Sequence, residues 1–448
     1  MKTCSNYKPR NYVEANDVIA ELKKYMLIDG FDYVPDLFHS QVPYFVDIRD
    51  GKKYFDFFTC FASMPIGINH PKMMADDFVQ YLGQVSINKL SNSDIYSEVM
   101  ASFVKTFFEI AVPEYFKYSF FIEGGALAVE NTLKAAFDWK VRKNFAKGYK
   151  YEKGSQIIHF EGAFHGRSGY TMSLTNTDPI KINYFPKFNW PRINSPFLHF
   201  PLNENELLRI QAEEKFSIDQ IKTAFQQNKD DIAAIIIEPV QAEGGDRHFR
   251  KEFLQALRQL ADENEALLIF DEVQTGVGLS GKWWAHQNFD VMPDIMSFGK
   301  KMQVCGLLAG KKLDEVPENV FHTPSRINST WGGNLTDMAR ATRYLEIIEE
   351  EQLIENANQV GDYFIDKLNN LAAKYPTLIS NPRGLGLLCA FDFPSKDIRN
   401  TIRDKAFKDG LFIIACGDRS IRFRPALNIN CRQVDEGLDI LENVIKSY

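Results

Sequence analysis

The middle of the chain alternates short apolar runs with longer stretches of helical periodicity. Ile232–Ile237 is one continuous apolar run, and Leu267–Phe270 is a second. Between them, residues 251–265 repeat apolar side chains at the spacing of a helix face, from Phe253 to Ala261. Short apolar runs of this kind predict strands that are buried on both faces of a sheet. Because strands that alternate with helices form mostly parallel sheets, we expect an α/β fold.

Polar residues follow several of these predicted strands directly. Tyr118–Ile122 leads into a Gly124-Gly125 turn, Ile232–Ile237 is followed by Glu238, and the next apolar run is followed by Asp271. In open α/β sheets, ligands bind beyond the carboxyl ends of the strands. The sequence therefore predicts a ligand site that these residues share.

The pattern changes after about residue 335. Thr336 is a plausible N-cap for a long helix, short strands are predicted over residues 386–392 and 411–415, and an amphipathic helix is predicted over residues 434–445. These features indicate a smaller α+β domain. Near the other end of the chain, residues 44–56 have the pattern of a hairpin that turns at Asp50-Gly51. We predict that residues 1–65 join the small domain (336–448) and that residues 66–335 form the large domain.

Composition excludes several classes of protein. The 448 residues are 45% hydrophobic and 25% charged, with a net charge of −7 and no basic cluster, so we expect neither disorder nor nucleic-acid binding. No apolar run is long enough for a membrane helix, and residues 1–10 do not resemble a signal peptide. The six cysteines are scattered without a CxxC pair, which argues against a zinc site. We expect reduced thiols and a cytoplasmic location.

One pair of residues narrows the chemistry. Asp271 ends an apolar run, and Lys300 follows Gly299 after a further strand-like segment. A carboxylate that protonates a pyridine ring and a lysine that condenses with an aldehyde are what pyridoxal phosphate (PLP) requires. A lysine that loses solvent at a strand end has a lowered pKa and becomes a nucleophile. Taken alone, Lys300 is interpreted as a surface lysine, and Lys301 is an equal candidate for the bond to the aldehyde. Asp271, taken alone, is interpreted as a helix cap or a salt-bridge partner.

Two further segments agree with PLP. The Gly124-Gly125-Ala126 turn precedes a helix, where backbone N–H groups favour an anion such as a phosphate. Phe164 offers a flat face to a cofactor ring, although a core aromatic is the simpler interpretation. Gln274, three residues after Asp271, is within reach of the phenolic oxygen of such a ring.

An ordered set of motifs resembles the class III (ω-amino) PLP-dependent aminotransferases. The motifs are Asp50-Gly-Lys-Lys-Tyr-Phe-Asp56, Asn69-His-Pro71, Glu238-Pro-Val-Gln241, Asp271-Glu-Val-Gln-Thr-Gly276, Pro293-Asp-Ile295, Gly299-Lys300, Arg383-Gly-Leu-Gly386 and Ile421-Arg-Phe-Arg424. The resemblance covers nearly the whole chain. It implies the PLP-dependent transferase fold type I, with a large domain around a mostly parallel sheet and a small α+β domain. It also implies a homodimer with shared active sites.

Some segments are most similar to the members that act on the ε-amine of lysine. These segments are Gly124-Gly-Ala-Leu-Ala-Val-Glu-Asn131, Phe164-His-Gly-Arg-Ser-Gly-Tyr170 and Gly299-Lys-Lys-Met-Gln-Val-Cys305. The similarity implies L-lysine as amino donor and 2-oxoglutarate as acceptor. The Gln241-Ala-Glu-Gly-Gly-Asp246 segment is shared with 4-aminobutyrate enzymes, so 4-aminobutyrate and ornithine stay open as donors. A PLP-dependent aminomutase or racemase, or an inactive homologue, is a more distant alternative.

The resemblance also implies residue roles. Lys300 bonds to the cofactor and Asp271 meets its ring nitrogen; the other cofactor-binding residues implied are Gly125, Ala126, Phe164, His165, Glu238, Gln274 and Thr330. Thr330 is expected to reach the cofactor phosphate of the other subunit. Most of the class carries Ser-Gly-Ser/Thr-Glu-Ala at the phosphate turn, whereas this chain has no hydroxyl there. We therefore expect phosphate binding to depend on backbone N–H groups and Thr330.

Two unlike substrates must share one pocket. Lysine that reacts at its far end needs a distant arginine for its carboxylate, and Arg167 is the candidate. A 2-oxo acid carries a carboxylate beside the reacting carbon, and Arg422 fits that position. Because an unpaired Arg422 beside methylene groups would be costly, a movable carboxylate is needed, and the resemblance assigns this role to Glu243. The alternative for each of these residues is a structural ion pair.

Overall fold

The computed structural model describes residues 7–448. The strands are β1 (Tyr44–Val46), β2 (Lys53–Asp56), β3 (Phe116–Ile122), β4 (Gln156–Phe160), β5 (Arg192–Ile193), β6 (Ile232–Ile237), β7 (Val240–Gln241), β8 (Arg247–His248), β9 (Leu267–Asp271), β10 (Ile295–Phe298), β11 (Cys305–Gly310), β12 (Ser380–Leu385), β13 (Leu388–Asp392), β14 (Leu411–Phe412), β15 (Ile414–Cys416) and β16 (Ser420–Phe423). The helices are α1 (Val18–Lys23), α2 (Thr59–Ala62), α3 (Asp76–Ser86), α4 (Glu98–Ile110), α5 (Gly125–Ala146), α6 (Gly169–Leu174), α7 (Glu204–Gln227), α8 (Lys251–Glu263), α9 (Leu335–Glu350), α10 (Leu353–Lys374), α11 (Lys396–Lys408) and α12 (Cys431–Lys446).

A seven-stranded sheet forms the centre of the large domain, in the order β3-β11-β10-β9-β6-β4-β5. Only β11 runs antiparallel to its neighbours in this sheet. The prediction of an α/β fold with a mostly parallel central sheet is therefore confirmed. The carboxyl ends of β6, β9 and β10 lie side by side, because these three strands pair in parallel.

Helices cover both faces of this sheet. In β9, Leu268 and Phe270 face one side and pack in a core that includes Leu257 of α8. Leu267 and Ile269 face the other side and pack in a core that includes Trp139 of α5. Since successive side chains of a strand point to opposite faces, a strand covered on both sides is expected to be apolar at successive positions, as Leu267–Phe270 of β9 are.

The C-terminal part contains a four-stranded antiparallel sheet, β12-β13-β16-β15. The first helix of this part, α9, begins two residues earlier than predicted. The side chain of Asn334 accepts a hydrogen bond from Thr336 N at 2.9 Å, so Asn334 is the N-cap and the prediction of Thr336 is wrong. Asparagine caps at least as well as threonine, and here its short amide reaches the second residue of the helix.

The N-terminal segment pairs with the end of the chain. β1 and β2 form the predicted hairpin, with Tyr44 opposite Phe55, and β2 also pairs in parallel with β14. The single strand expected over residues 411–415 is instead divided at Ile413 between β14 and β15, which belong to different sheets. The domain boundaries at residues 65 and 335 stay a prediction. Across residues 7–448, every helix is too short or too polar to cross a membrane.

Candidate active site

A cavity of about 630 Å³ opens beyond the carboxyl ends of β6, β9 and β10. Predicted site residues make up much of its wall: Gly125, Ala126, Phe164, His165, Arg167, Glu238, Glu243, Asp271, Gln274 and Lys300. Each comes from a strand end, from the start of α5 or from a connecting loop. The ligand site predicted from the sequence therefore coincides with a cavity in the structure.

Lys300 lies on the turn after β10, in a left-handed conformation with φ of 48°. Burial lowers the pKa of its amine to about 8, and the positive charges of Arg422 and Arg424 act in the same direction. Lys301 does not line the cavity. Its side chain is buried, and its ammonium donates to the carbonyl oxygen of Gln274 at 2.6 Å. Lys300 is thus the lysine of this pair that faces the cavity.

Asp271 is held by three donors. His165 Nδ1 lies 2.8 Å from Oδ2, while Ser297 Oγ and the backbone N–H of Val273 donate to Oδ1 at 3.0 and 3.1 Å. The carboxylate is 5% exposed, so almost all of its contact with water is lost. These contacts fix its orientation at the cavity wall. There it can accept a hydrogen bond from a protonated ring nitrogen.

Glu238 is a second buried carboxyl group. It accepts hydrogen bonds from the backbone N–H of Phe164 at 2.9 Å and of Ala242 at 3.2 Å. Burial raises its pKa to about 7, and the nearby Asp271 carboxylate adds to this rise. Glu238 therefore anchors the loop that carries Phe164, and with it the face that Phe164 presents to the cavity.

Two arginines converge on one amide oxygen. Arg422 Nη1 and Arg424 Nη2 donate to Oε1 of Gln274 at 2.9 and 3.3 Å. Arg424 also pairs with Asp246, with Nη1 2.8 Å from Oδ2, and both of these side chains are fully buried. Because Oε1 is occupied by guanidinium donors, the amide group of Gln274 is directed toward the cavity as a hydrogen-bond donor.

Glu243 lies between two cations. Its Oε2 accepts from Arg422 Nη2 at 2.7 Å, and its Oε1 accepts from Lys181 Nζ at 2.7 Å. Burial opposes ionisation of this carboxyl group, but the charges of Arg422 and Lys181 more than compensate and lower its pKa. Arg167 lies exposed on the cavity wall and forms no ion pair within residues 7–448. Arg167 thus lines the cavity without an ion pair, whereas Arg422 is buried behind the wall residue Glu243, which neutralises it.

The start of α5 suits an anion. Its N-cap is Gly124, with φ of 101°, and no side chain caps the helix and no acidic residue occupies its first turn. The N–H groups at a helix start favour a phosphate. The cavity therefore offers a partner for each part of PLP. The carboxylate suits the ring nitrogen, the lysine suits the aldehyde, the aromatic face suits the ring, and the anion site suits the phosphate. The residues present therefore fit this cofactor.

Two predicted site residues do not line this cavity. Arg422 is buried and contacts the wall residues Gln274 and Glu243. The second is Thr330. It is exposed, and its carbonyl oxygen accepts a hydrogen bond from Ser93 Oγ at 3.3 Å. Its role toward a partner subunit stays a prediction.

Several wall residues were not anticipated from the sequence, among them Ser63, Met64, Gln303, Cys305 and Asp337. Ser63 and Met64 follow α2, where Thr59 to Ala62 all have positive φ and form a left-handed turn. Gln303 Nε2 donates to the carbonyl oxygen of Ser63 at 2.6 Å. This hydrogen bond connects the left-handed turn to the segment that carries Lys300. No local pattern marks such a contact, since it depends on the packing of two distant segments.

Comparison with known proteins agrees with this site. The family described as Aminotransferase class-III matches residues 39–445. L-lysine-epsilon aminotransferase of Mycobacterium tuberculosis is 49% identical over 95% of this chain and 94% of its own length. The protein of that name from Streptomyces clavuligerus is 47% identical over 97% and 95%. Human mitochondrial 4-aminobutyrate aminotransferase is 30% identical over 91% of this chain and 84% of its own length.

Solved structures give the same result. The structure described as lysine aminotransferase from M. tuberculosis in the internal aldimine form has a TM-score of 0.95 at 48% identity, covering 97% of this chain and all of the other. A Virgibacillus transaminase has the same fold, with a TM-score of 0.82 at 20% identity, covering 96% of this chain and 98% of the other. The expected PLP-dependent transferase fold type I is confirmed. The chain belongs to the class III aminotransferases and is a transaminase that uses pyridoxal 5′-phosphate as its cofactor.

Proposed function

We propose that this enzyme transfers the ε-amino group of L-lysine to 2-oxoglutarate, giving 2-aminoadipate 6-semialdehyde and L-glutamate. The observation that carries the proposal is the contrast between two arginines, one exposed on the cavity wall and one buried behind it. Arg422 is neutralised by Glu243, and Arg167 is free to bind a substrate carboxylate. The relatives named L-lysine-epsilon aminotransferase, at 45–49% identity, support the same donor.

PLP, when bound, supplies an electron sink for the carbon that loses its proton. Around it, Asp271 would keep the ring nitrogen protonated, Phe164 would cover one face of the ring, and the start of α5 would hold the phosphate. Lys300 would act as the acid–base group that moves the proton between the ε-carbon of the substrate and C4′ of the cofactor. A positioned acid–base group typically contributes about 10²–10⁴-fold to such a transfer.

Arg167 and Arg422 divide the recognition of the two substrates. In the first half-reaction, Arg167 binds the α-carboxylate of lysine while Glu243 neutralises Arg422 beside the methylene chain. In the second, 2-oxoglutarate places a carboxylate beside its reacting carbon, and that carboxylate replaces Glu243 on Arg422. The exchange keeps the buried guanidinium paired at each stage, which matters because an unpaired buried charge is costly.

The proposal is tested with a panel of amino donors. Purified enzyme is supplied with 2-oxoglutarate and with lysine, ornithine or 4-aminobutyrate, and glutamate formation is measured. We expect lysine to have the highest kcat/KM. The 4-aminobutyrate relative at 30% identity makes that donor the second candidate. Amine turnover without any 2-oxo acid would instead indicate an aminomutase or a racemase.

The exchange of Glu243 for a substrate carboxylate on Arg422, which we call the switch, predicts an asymmetric effect of Glu243→Ala. The variant leaves Arg422 unpaired when lysine is bound, so single-turnover reduction of the cofactor absorbance by lysine is expected to slow roughly tenfold or more. Reaction with glutamate should persist, because its carboxylate pairs with Arg422 directly. Equal losses with both amino acids would contradict the switch.

The amine of Lys300 predicts how cofactor loading depends on pH. Only the neutral amine attacks the aldehyde, and burial lowers its pKa to about 8. When PLP is added to apoenzyme, we expect the rate of the absorbance change to rise about tenfold per pH unit below pH 8 and to level off above it. If Lys300 had the pKa of an ordinary lysine, about 10.4, the rate would keep rising up to pH 10.

The assembly and the compartment belong to the same proposal. We expect a homodimer with shared active sites, in which Thr330 reaches the cofactor phosphate of the other subunit. Its exposure, beside the half-exposed Trp331, supports this placement. We expect the cytoplasm as compartment, since the cysteines at positions 60, 305, 389, 416 and 431 are free thiols.

A further inference from the structure

Glu243 has a second cationic partner that no sequence motif indicated. Lys181 Nζ lies 2.7 Å from Glu243 Oε1, while Arg422 holds the other oxygen at the same distance. Each carboxylate oxygen therefore has its own cation. One of the two contacts can break while the other stays intact.

Lys181 is held in place independently of Glu243. It ends the short 3₁₀ turn Pro179–Lys181, where the side chain of Asp178 accepts from the N–H of Ile180 at 3.0 Å. Its ammonium also donates to Thr177 Oγ1 at 3.3 Å and lies 5.4 Å from the ring centre of Phe164. The side chain is 23% exposed, so its charge is only partly screened by solvent. These contacts would keep the ammonium where it is when Glu243 changes partner.

The exchange of partners at Arg422 has an electrostatic consequence. A substrate carboxylate that takes over Arg422 displaces Glu243, whose side chain is 27% exposed. Without another cation, that displaced carboxylate would lose its ion pair in a largely buried site, which is unfavourable. With Lys181 in place, the cavity wall passes from one anion shared by two cations to two ion pairs. When Arg422 is released, Glu243 therefore keeps one ion pair.

We propose that Lys181 is a positioning residue on which the Glu243 carboxylate pivots, so that it favours binding of the carboxylate-bearing acceptor over binding of the amine donor. This inference rests on the proposed exchange at Arg422. Lys181 acts through Glu243 and does not touch the acceptor. The variant Lys181→Met, which keeps the length of the side chain without its charge, should therefore weaken acceptor binding more than it slows the reaction with lysine.

The test measures binding of glutarate, a dicarboxylate without a reactive carbonyl, to the holoenzyme by calorimetry. Lys181→Met is expected to raise the Kd roughly tenfold, the effect of losing one charge-assisted hydrogen bond in a partly exposed site. Lys181→Arg should restore most of the affinity. Lys187→Met is the matched control, because Lys187 lies on the same loop and donates to the carbonyl oxygens of Ile182 and Phe185. Its Kd should change less than twofold.

The double variant with Glu243→Gln separates the possible causes. If Lys181 acts through Glu243, then Lys181→Met should have little further effect on the glutarate Kd in that background. An equal loss in both backgrounds would mean that Lys181 binds the ligand directly, and an unchanged Kd in the single variant would mean no role; either result overturns the proposal. Steady-state assays give a second readout, since KM for 2-oxoglutarate should rise while kcat falls less.

These outcomes are distinct from failure of the proposed function. If lysine proves a poor donor but the glutarate Kd shows the coupling between positions 181 and 243, the substrate is wrong and the pivot holds. If lysine and 2-oxoglutarate are the substrates and the coupling is absent, the pivot is wrong. A loss of thermal stability common to Lys181→Met and Lys181→Arg, without coupling, would assign Lys181 a structural role only and would also overturn the proposal.

Discussion

Lys300→Ala is expected to lower the rate of amine transfer by at least about 10³-fold. The substitution removes the amine that bonds to PLP and the base that moves the proton, and positioned acid–base groups alone contribute about 10²–10⁴-fold. The measurement is single-turnover reaction with lysine, followed by the change in cofactor absorbance. Borohydride reduction of the wild-type enzyme should fix the cofactor to the peptide that contains position 300.

Lys301→Met is the matched control for this prediction. Lys301 is the adjacent lysine, but its ammonium donates to the carbonyl oxygen of Gln274 rather than lining the cavity. We expect the variant to retain the covalent cofactor and to lose less than tenfold in rate. A reduced adduct on Lys301, or normal turnover by Lys300→Ala, would contradict the assignment.

Asp271→Asn is expected to reduce the rate on the order of 10²–10³-fold, as removal of a fixed electrostatic partner in an active site commonly does. The amide has nearly the same shape as the carboxylate but no negative charge. It therefore cannot keep the ring nitrogen protonated, and the electron sink is weakened. The loss should appear in the single-turnover rate constants of both half-reactions, because both depend on the same ring.

Ser297→Ala tests whether charge or mere support is responsible. Ser297 Oγ donates to Asp271 Oδ1 at 3.0 Å, so its removal loosens the carboxylate without neutralising it. One hydrogen bond of this kind corresponds to about 1 kcal/mol, or roughly a fivefold effect. If Ser297→Ala were as damaging as Asp271→Asn, the charge of Asp271 would not be the decisive property.

Local pattern was a good guide to the large domain. The apolar run of β6, the run of β9 and the periodicity of α8 each describe a segment that is buried because of its own composition. Side-chain spacing alone fixes which face is apolar, so such elements can be recognised one at a time. Boundaries were less secure: α9 begins at Leu335 because Asn334, not Thr336, caps it.

The division of residues 411–415 illustrates what local pattern misses. Leu411-Phe412 pairs with the N-terminal β2, whereas Ile414–Cys416 pairs with β16. The run is apolar throughout, so nothing within it marks the change at Ile413. Its two halves are separated only by where their partner strands lie, and those partners come from opposite ends of the chain.

The sequence by itself determined the α/β fold, the strand ends that carry Asp271 and Lys300, and the resemblance that indicates a PLP-dependent transaminase. Those features depend on spacing within short segments. Only the tertiary structure decided that Glu243 lies between Arg422 and Lys181, which are 179 and 62 positions away from it. Such ion pairs join loops from separate elements, and the packing of the elements, rather than any local spacing, brings the charges together.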